Sequence, residues 1–207
     1  HCLRLMVFNR LCDPGSKLGV LRWLQTTALP AGSGTCPSHQ HLLRAMDVLD
    51  AHSDKLGSKL ATLMRPLIDQ DLSVVFYDLT TIRAAGLSEQ AGDVRQYGMA
   101  KEGLIARQFM LGVVQTADGL PIYHEVFDGN QAESPALMPT LKKVLGRFGH
   151  IKRLIMVADR GLLSLDNIDE LGKITLPGGQ ALEFILAVPG RRYGEFVEVL
   201  QDFQAKA

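Results

Sequence analysis

Cysteine is scarce in this chain: Cys2, Cys12 and Cys36 are the three present, all near the start, and none forms a C-x-x-C pair. That spacing indicates neither a zinc site nor a disulfide scaffold, and reduced, cytosolic thiols are the default expectation. Net charge is missing too, since 22 Lys and Arg balance 22 Asp and Glu. Overall charge therefore gives no argument for nucleic-acid binding, although a local basic face stays open. No apolar run approaches the roughly 18 residues of a membrane span, so no membrane partner is expected. No signal-peptide pattern precedes the first amphipathic stretch, His1-Cys2-Leu3-Arg4, and a start on His rather than Met suggests a piece of a longer chain. G-x-S-x-G is absent, and Pro177-Gly178-Gly179 lacks the Gly-Lys of a phosphate loop. Internal repeats and low-complexity tracts are absent as well.

What remains is a chain with the means to build a core. It has 207 residues, 46% hydrophobic and 21% charged, enough for one large domain or a domain with a small appendage. Residues 1–70 read as helical. Leu3, Met6, Val7 and Leu11 recur at helical spacing, Asp13-Pro14-Gly15 breaks the pattern, and Ser16 is placed to cap the next helix. Pro30 to Gly34 reads as a loop. Helical spacing resumes after Ser38 with Leu42, Leu43, Met46 and Leu49, then with Leu56, Leu60, Leu63 and Leu67, Pro66 lying near the end. These stripes are expected to face a core.

From residue 72 the period changes. Leu72 to Asp78 reads as a short apolar strand, and residues 79–107 as a long polar loop of the kind that often serves function. Gln108–Thr116 and Leu120–Phe127 read as strands joined by the hairpin signal Ala117-Asp118-Gly119. A helix follows with Leu137, Leu141, Val144, Leu145 and Phe148, entered through Ser134-Pro135, with Pro139 pointing to a later start. Arg153–Ala158 is a buried strand, Ser164 caps a short helix stopped by Gly172, Glu183–Val188 is a further strand, and an amphipathic tail closes the sequence. This order predicts an α/β fold, a ribonuclease H-like mixed sheet flanked by helices and preceded by a helical N-terminal region. In that topology the first and fourth strands are neighbours.

Asp78 and Asp159 then stand out, because each sits where an apolar strand stops. A carboxylate there is held rigidly yet reaches the open edge of a sheet, and two on neighbouring strands can hold a divalent cation. Taken singly, each reads as a turn residue or a helix cap. Glu133 reads either as a group flanking such a site or as a solvated acid at a helix start. Asn130 reads as a flanking group or, more simply, as a turn residue. Arg160 reads equally as a phosphate contact or an ion-pair partner. Lys101 and Arg107 read as DNA-backbone contacts or as solvated loop charges, and Lys142, Lys143, Arg147, Lys152 and Arg153 as the wet side of a helix or a backbone-binding stretch. His39, His41, His52, His124 and His150 show no ligand spacing with one another.

Five segments together resemble the DDE transposases of bacterial insertion sequences, in the branch whose catalytic core carries a β-rich insertion. They are Phe76-Tyr77-Asp78-Leu79-Thr80-Thr81, Tyr97 to Gly103, Gly119-Leu120-Pro121 through Asn130, Val157-Ala158-Asp159-Arg160-Gly161, and the early Asp13 to Lys17. The resemblance covers most of the chain. It implies that Asp78 and Asp159 are catalytic metal ligands, that the ion is Mg²⁺ or Mn²⁺, and that the partner is DNA, both transposon ends and target. A homodimer is implied as well. The third acid, a glutamate, is expected further along the chain, so that residues 71–207 form a core truncated before it and inactive alone. Glu195 and Glu198 are the candidates for a third acid within these residues. The other reading is a catalytically dead, transposon-derived DNA-binding or assembly module.

Overall fold

The computed structural model describes residues 1–28, 36–68, 74–85, 91–99, 103, 105–148, 151, 153–162 and 164–197. The readings made above on the 30–34 loop, on Lys101, Lys152, His150 and Glu198, and on most of the tail lie outside the described residues. The chain divides into two compact units, His1–Lys59 and Leu60–Ala207.

The first unit is helical. It contains α1 (Cys2–Cys12), α2 (Lys17–Thr26), α3 (His39–Ala51) and the start of α4 (Ser53–Ile68). The caps follow local chemistry. Ser16 Oγ accepts from Gly19 N at 3.0 Å and opens α2. Ser38 opens α3 through a reciprocal capping box, in which His41 fills the place usually taken by Glu or Gln. Leu5, Val20 and Leu42 are buried in this unit, and buried Asn9 donates to Asp13 O at 2.8 Å, tying off the end of α1.

The expected core-facing stripes are corrected here. Leu3, Val7, Leu11, Leu43, Met46 and Leu49 are exposed. Several of them, with Met6 and Val20, line an open groove of about 240 Å³. On α4 the stripe Leu56, Leu60 and Leu63 is likewise exposed, while Ala61 and Met64 join the core. The first unit is too small to bury every apolar face that α1 and α3 carry.

The second unit is built on a mixed sheet. Its strands are β1 (Val74–Arg83), β2 (Gln96–Met99), β3 (Ile105–Thr116), β4 (Pro121–Asp128), β5 (Ile155–Ala158) and β6 (Glu183–Leu186). The hydrogen-bonded order is β4-β3-β1-β5-β6, with β2 on the same edge of β3 as β4. β5 and β6 run parallel to β1, and β3 runs against it. Leaving β2 aside, that is strand order third, second, first, fourth, fifth with the second reversed, the ribonuclease H-like arrangement. The β3–β4 hairpin turns at Gly119, whose φ of +80° only glycine takes without strain.

Alternation along β1 decides the two faces. Val75, Tyr77 and Leu79 point to the packed face, together with Val114 and Met156. Onto it α5 (Leu137–Arg147) lays Leu137, Leu141 and Val144, and α6 (Leu165–Gly172) adds Leu171. The entry to α5 is a 3-10 turn at Ser134–Ala136, so Pro139 falls in the first helical turn, where its missing N–H costs nothing. A polar chain crosses the same layer. Tyr77 Oη lies 3.4 Å from Thr140 Oγ1, Thr140 and Tyr123 both donate to Glu125 Oε2 at 3.3 Å, Lys143 pairs with Glu125, and Arg147 stacks 4.8 Å over Tyr123. The other face stays open at Phe76 (37% exposed), Val126 (45%) and Ile185 (60%).

Two expectations change. The first strand does not end at Asp78 but runs on to Arg83, because its far half pairs with β3 as far as Gln108. The loop expected over 79–107 contains that extension, β2 and the beginning of β3. The signal is hidden because the four residues of β2 include Gly98 and make too short a run for alternation to register. A side chain on Gly98 would collide with Gly129 O and the Gln108 amide, so glycine is what lets β2 and the turn after β4 share one edge of β3.

Candidate active site

The register brings the two aspartates together. Tyr77 and Ala158 are the last pair of the parallel β1–β5 ladder, so Asp78, on β1, and Asp159, the first residue past β5, each follow that pair. Adjacent strands lie about 4.8 Å apart. Tyr77 and Ala158 are buried, so the residues after them turn to the open face, and both aspartates are exposed. On the other side of β1, Asp78 is paired with Val113. β5 and β6 stop at Ala158 and Leu186, which leaves the carboxylates at the C-terminal edge of the parallel strands. That edge is where open α/β sheets bind ligands.

Asp159 is oriented by the backbone that follows it. Arg160 N donates to Asp159 Oδ1 at 2.6 Å, and Leu162 N donates to Asp159 O at 3.1 Å, opening the 3-10 turn Arg160–Leu162. Gly161 in this turn meets Glu133, and a side chain at Gly161 would run into the Glu133 carboxylate. Glu133 is therefore next to the Asp159 turn, held there from a different part of the chain. The clamp is Asn167 of α6. Its Nδ2 donates to Ser134 O at 2.9 Å, to Ser134 Oγ at 3.1 Å and to Leu162 O at 2.8 Å. Ser164 Oγ accepts from Asn167 N at 3.1 Å and caps the helix that carries the clamp. Asn130 is exposed in the turn after β4.

The remaining candidates separate. Arg160 is exposed beside Asp159 and lines an open cleft with Gly161, Pro189, Gly190 and Arg191. Arg107 has a different employment: it is buried, donating to Asp93 Oδ2 at 2.8 Å and to Arg95 O at 3.1 Å. A guanidinium committed in this way is not offered to DNA, which corrects the reading of Arg107 as a backbone contact. Its position follows from pairing opposite Tyr97 on β2, which no local pattern reveals. Lys101 lies outside the described residues, as do Glu198 and the side chain of Glu195. Among the described residues no group of three or more His, Cys, Asp or Glu is gathered as a metal cluster.

Three residues were not singled out from sequence. Asn167 had a legible signal, since it precedes fully buried Leu171 by one helical turn and so puts an amide on the apolar face. Gly161 and Arg191 had none, because their significance is a matter of which distant residue lies opposite.

No protein-family model matches the chain, and no curated protein matches it. Similar solved structures include the Mos1 transposase paired-end complex with left transposon end, at 12% identity over 100% of this chain and 71% of that chain, TM-score 0.32. The Mos1 Strand Transfer Complex matches at 12% identity over 98% of this chain and 64% of that chain, TM-score 0.37. The Mos1 mariner paired end complex with Mn matches at 12% identity over 100% and 72%, TM-score 0.31. Likeness at these TM-scores carries no argument, and the fold stands on the strand order and directions given above.

Proposed function

We propose that this chain carries the front part of a DDE transposase core, which acts on DNA by divalent-metal-dependent phosphodiester hydrolysis and strand transfer at insertion-sequence ends. The observation that supports this reading is that Asp78 and Asp159 each follow the last pair, Tyr77 and Ala158, of the parallel β1–β5 ladder, both exposed at the C-terminal edge of a ribonuclease H-like sheet.

The donor chemistry fits the ion. Mg²⁺ and Mn²⁺ prefer hard oxygen, and Mg²⁺ keeps several waters while taking one or two carboxylates and the phosphates of its substrate. Two aspartates on a rigid ladder meet that need. Asp78 would hold the ion from β1 and Asp159 from the end of β5. When bound, the ion supplies positive charge to the oxygens that become negative during in-line displacement at phosphorus. The protein's own part is positioning. Arg160 N fixes the rotamer of Asp159, Asn167 keeps the Glu133 turn against the Asp159 turn, and the packed layer beneath Tyr77 and Ala158 holds both backbones still. Glu133 adds negative charge beside the site, and DNA lies along the open face. The insertion-sequence origin, the use of paired ends and a homodimer remain parts of this proposal.

The test is Mn²⁺ titration followed by electron paramagnetic resonance. Wild-type protein is expected to bind Mn²⁺ weakly, and Asp78→Ala or Asp159→Ala to weaken binding at least about tenfold, each removing one of two charged ligands. Equal Mn²⁺ affinity in wild type and both variants rules the reading out. A second reading, an inactive DNA-binding or assembly module, draws on the finding that among the described residues no three His, Cys, Asp or Glu are grouped so as to hold a metal. Unchanged DNA affinity in Asp78→Ala, with no Mn²⁺ binding by wild type, selects it.

A further inference from the structure

A cleft of about 420 Å³ opens beside Asp159, lined by Arg160, Gly161, Pro189, Gly190 and Arg191. Its two walls come from neighbouring strands. Arg160 follows the end of β5, and Arg191 follows the end of β6, in the turn that Pro189 opens into the 3-10 segment Gly190–Phe196. The ladder between these strands holds to the edge, since Ala187 N donates to Ala158 O at 3.2 Å. The turn carrying Arg191 is closed by Arg192 N donating to Pro189 O at 2.8 Å. The floor is glycine. A methyl group at Gly190 would meet nothing within 4 Å, so there is room above the backbone.

The charges in this cleft differ from several others in the unit. Arg95 and Arg107 share Asp93, Arg153 pairs with Glu183, and Arg147 stacks on Tyr123. Among the described residues neither Arg160 nor Arg191 has a side-chain ion pair, and both are exposed. Asp159 directly precedes Arg160 in the chain, and Glu133 packs on Gly161. Two guanidinium groups facing one cleft repel each other until an anion sits between them. Guanidinium is the side chain best matched to phosphate, with paired N–H donors that take two oxygens at once.

We propose that Arg191 joins Arg160 in a seat for one DNA backbone phosphate beside Asp159, and that this seat registers the strand on the carboxylate pair. The inference rests on the DNA reading above and adds a residue, Arg191, and a role for it. The seat contacts phosphate, so it positions DNA without reading its sequence. Arg191 is a positioning residue in this account.

The experiment is fluorescence anisotropy of a labelled DNA duplex with the full chain, repeated over a series of KCl concentrations. Arg191→Ala is expected to weaken binding about tenfold, equally for unrelated duplex sequences, and to reduce the slope of log affinity against log salt by about one. Arg191→Lys is expected to recover the slope and only part of the affinity, since Lys is a point charge without the paired donors. Arg153→Ala is the charge control. It removes the same charge at the opposite edge of the sheet, where Arg153 pairs with Glu183 at 2.7 Å, and should leave the slope unchanged. A wild-type slope and affinity in Arg191→Ala overturn the seat while leaving the DNA reading intact. Loss of slope in Arg153→Ala equal to that in Arg191→Ala also overturns it, since the effect is then net charge. Absence of DNA binding by wild type overturns the DNA reading and the seat with it.

Discussion

One amide nitrogen, Asn167 Nδ2, serves three acceptors on two different turns, at distances between 2.8 and 3.1 Å. Those turns carry Glu133 on one side and the residues after Asp159 on the other. Replacing Asn167 by Ala leaves the buried carbonyl of Leu162 without its donor and frees the two turns from each other. The expected cost is about 1–3 kcal/mol of stability, read as a shifted midpoint in urea at unchanged slope. Mn²⁺ affinity should fall along with it, because the Asp159 turn loses its brace. A midpoint that does not move would show that water replaces the amide without cost. Gly161 works at the same scale, where the space a methyl would need is already taken by the Glu133 carboxylate.

The element that joins the two halves of the sheet is β1. Its first residues pair with β5 and β3, and its last residues pair with β3 alone. The extension is pinned through the adjoining segment by Asp93, which accepts from Arg95 and Arg107. Hydrogen bonds from Arg95 hold the Asp93 carboxyl well below the usual carboxylate range, with both guanidinium charges adding to this. The sign follows from where protons bind. The detached segment takes a proton on Asp93 near its ordinary value of 3.8, while the attached one keeps the carboxylate ionised. Attachment is therefore at full strength above about pH 4 and is lost progressively as acid carries the pH lower. Hydrogen exchange at Gln96–Met99 should accelerate over that range, and Asp93→Asn should exchange fast at every pH. Exchange that stays slow in Asp93→Asn would assign the pinning to the backbone ladder alone.

At the scale of the whole second unit, stability depends on one packed face with a hydroxyl at its centre. Tyr77 is buried between β1 and α5, and its Oη reaches Thr140. Burial, above all, pushes its pKa up to about 12 from 10.0, and the Glu125 charge adds to the effect. An unfolded chain releases this proton near pH 10 and the folded one near 12, so the unfolded state binds fewer protons in between. Stability should thus fall as pH rises from about 10 to about 12, by about 2–3 kcal/mol if the full difference is realised. Tyr77→Phe removes that slope, and urea titrations across the alkaline range measure the difference. An identical alkaline decline in the variant would place its origin in other groups.

Local rules were legible wherever one stretch of chain supplied its own partners. Ser16, Ser38 and Ser164 cap helices because a hydroxyl before an apolar period has one nearby use. Gly119 turns a hairpin because the flanking strands alternate and glycine alone takes its φ freely. The element order then limits the topology enough to expect the first and fourth strands side by side. Where two distant segments meet, the sequence is silent. Nothing around Arg107 tells that Asp93 waits across β2. Nothing near Gly161 announces Glu133, and β1 outlasts its apolar run because β3 is there to pair with it. The helical stripes of the first unit show the same limit from the other side, since periodicity marks an apolar face without saying that anything covers it. The amino-acid order by itself settled the identity of most elements, β2 excepted, and the residue types at the sheet edge, because these depend on neighbours within a turn or two of backbone. The tertiary structure alone decided which side chains became ligand candidates, clamps or staples, because hydrogen-bond pairing between segments far apart in number is fixed by the packed whole.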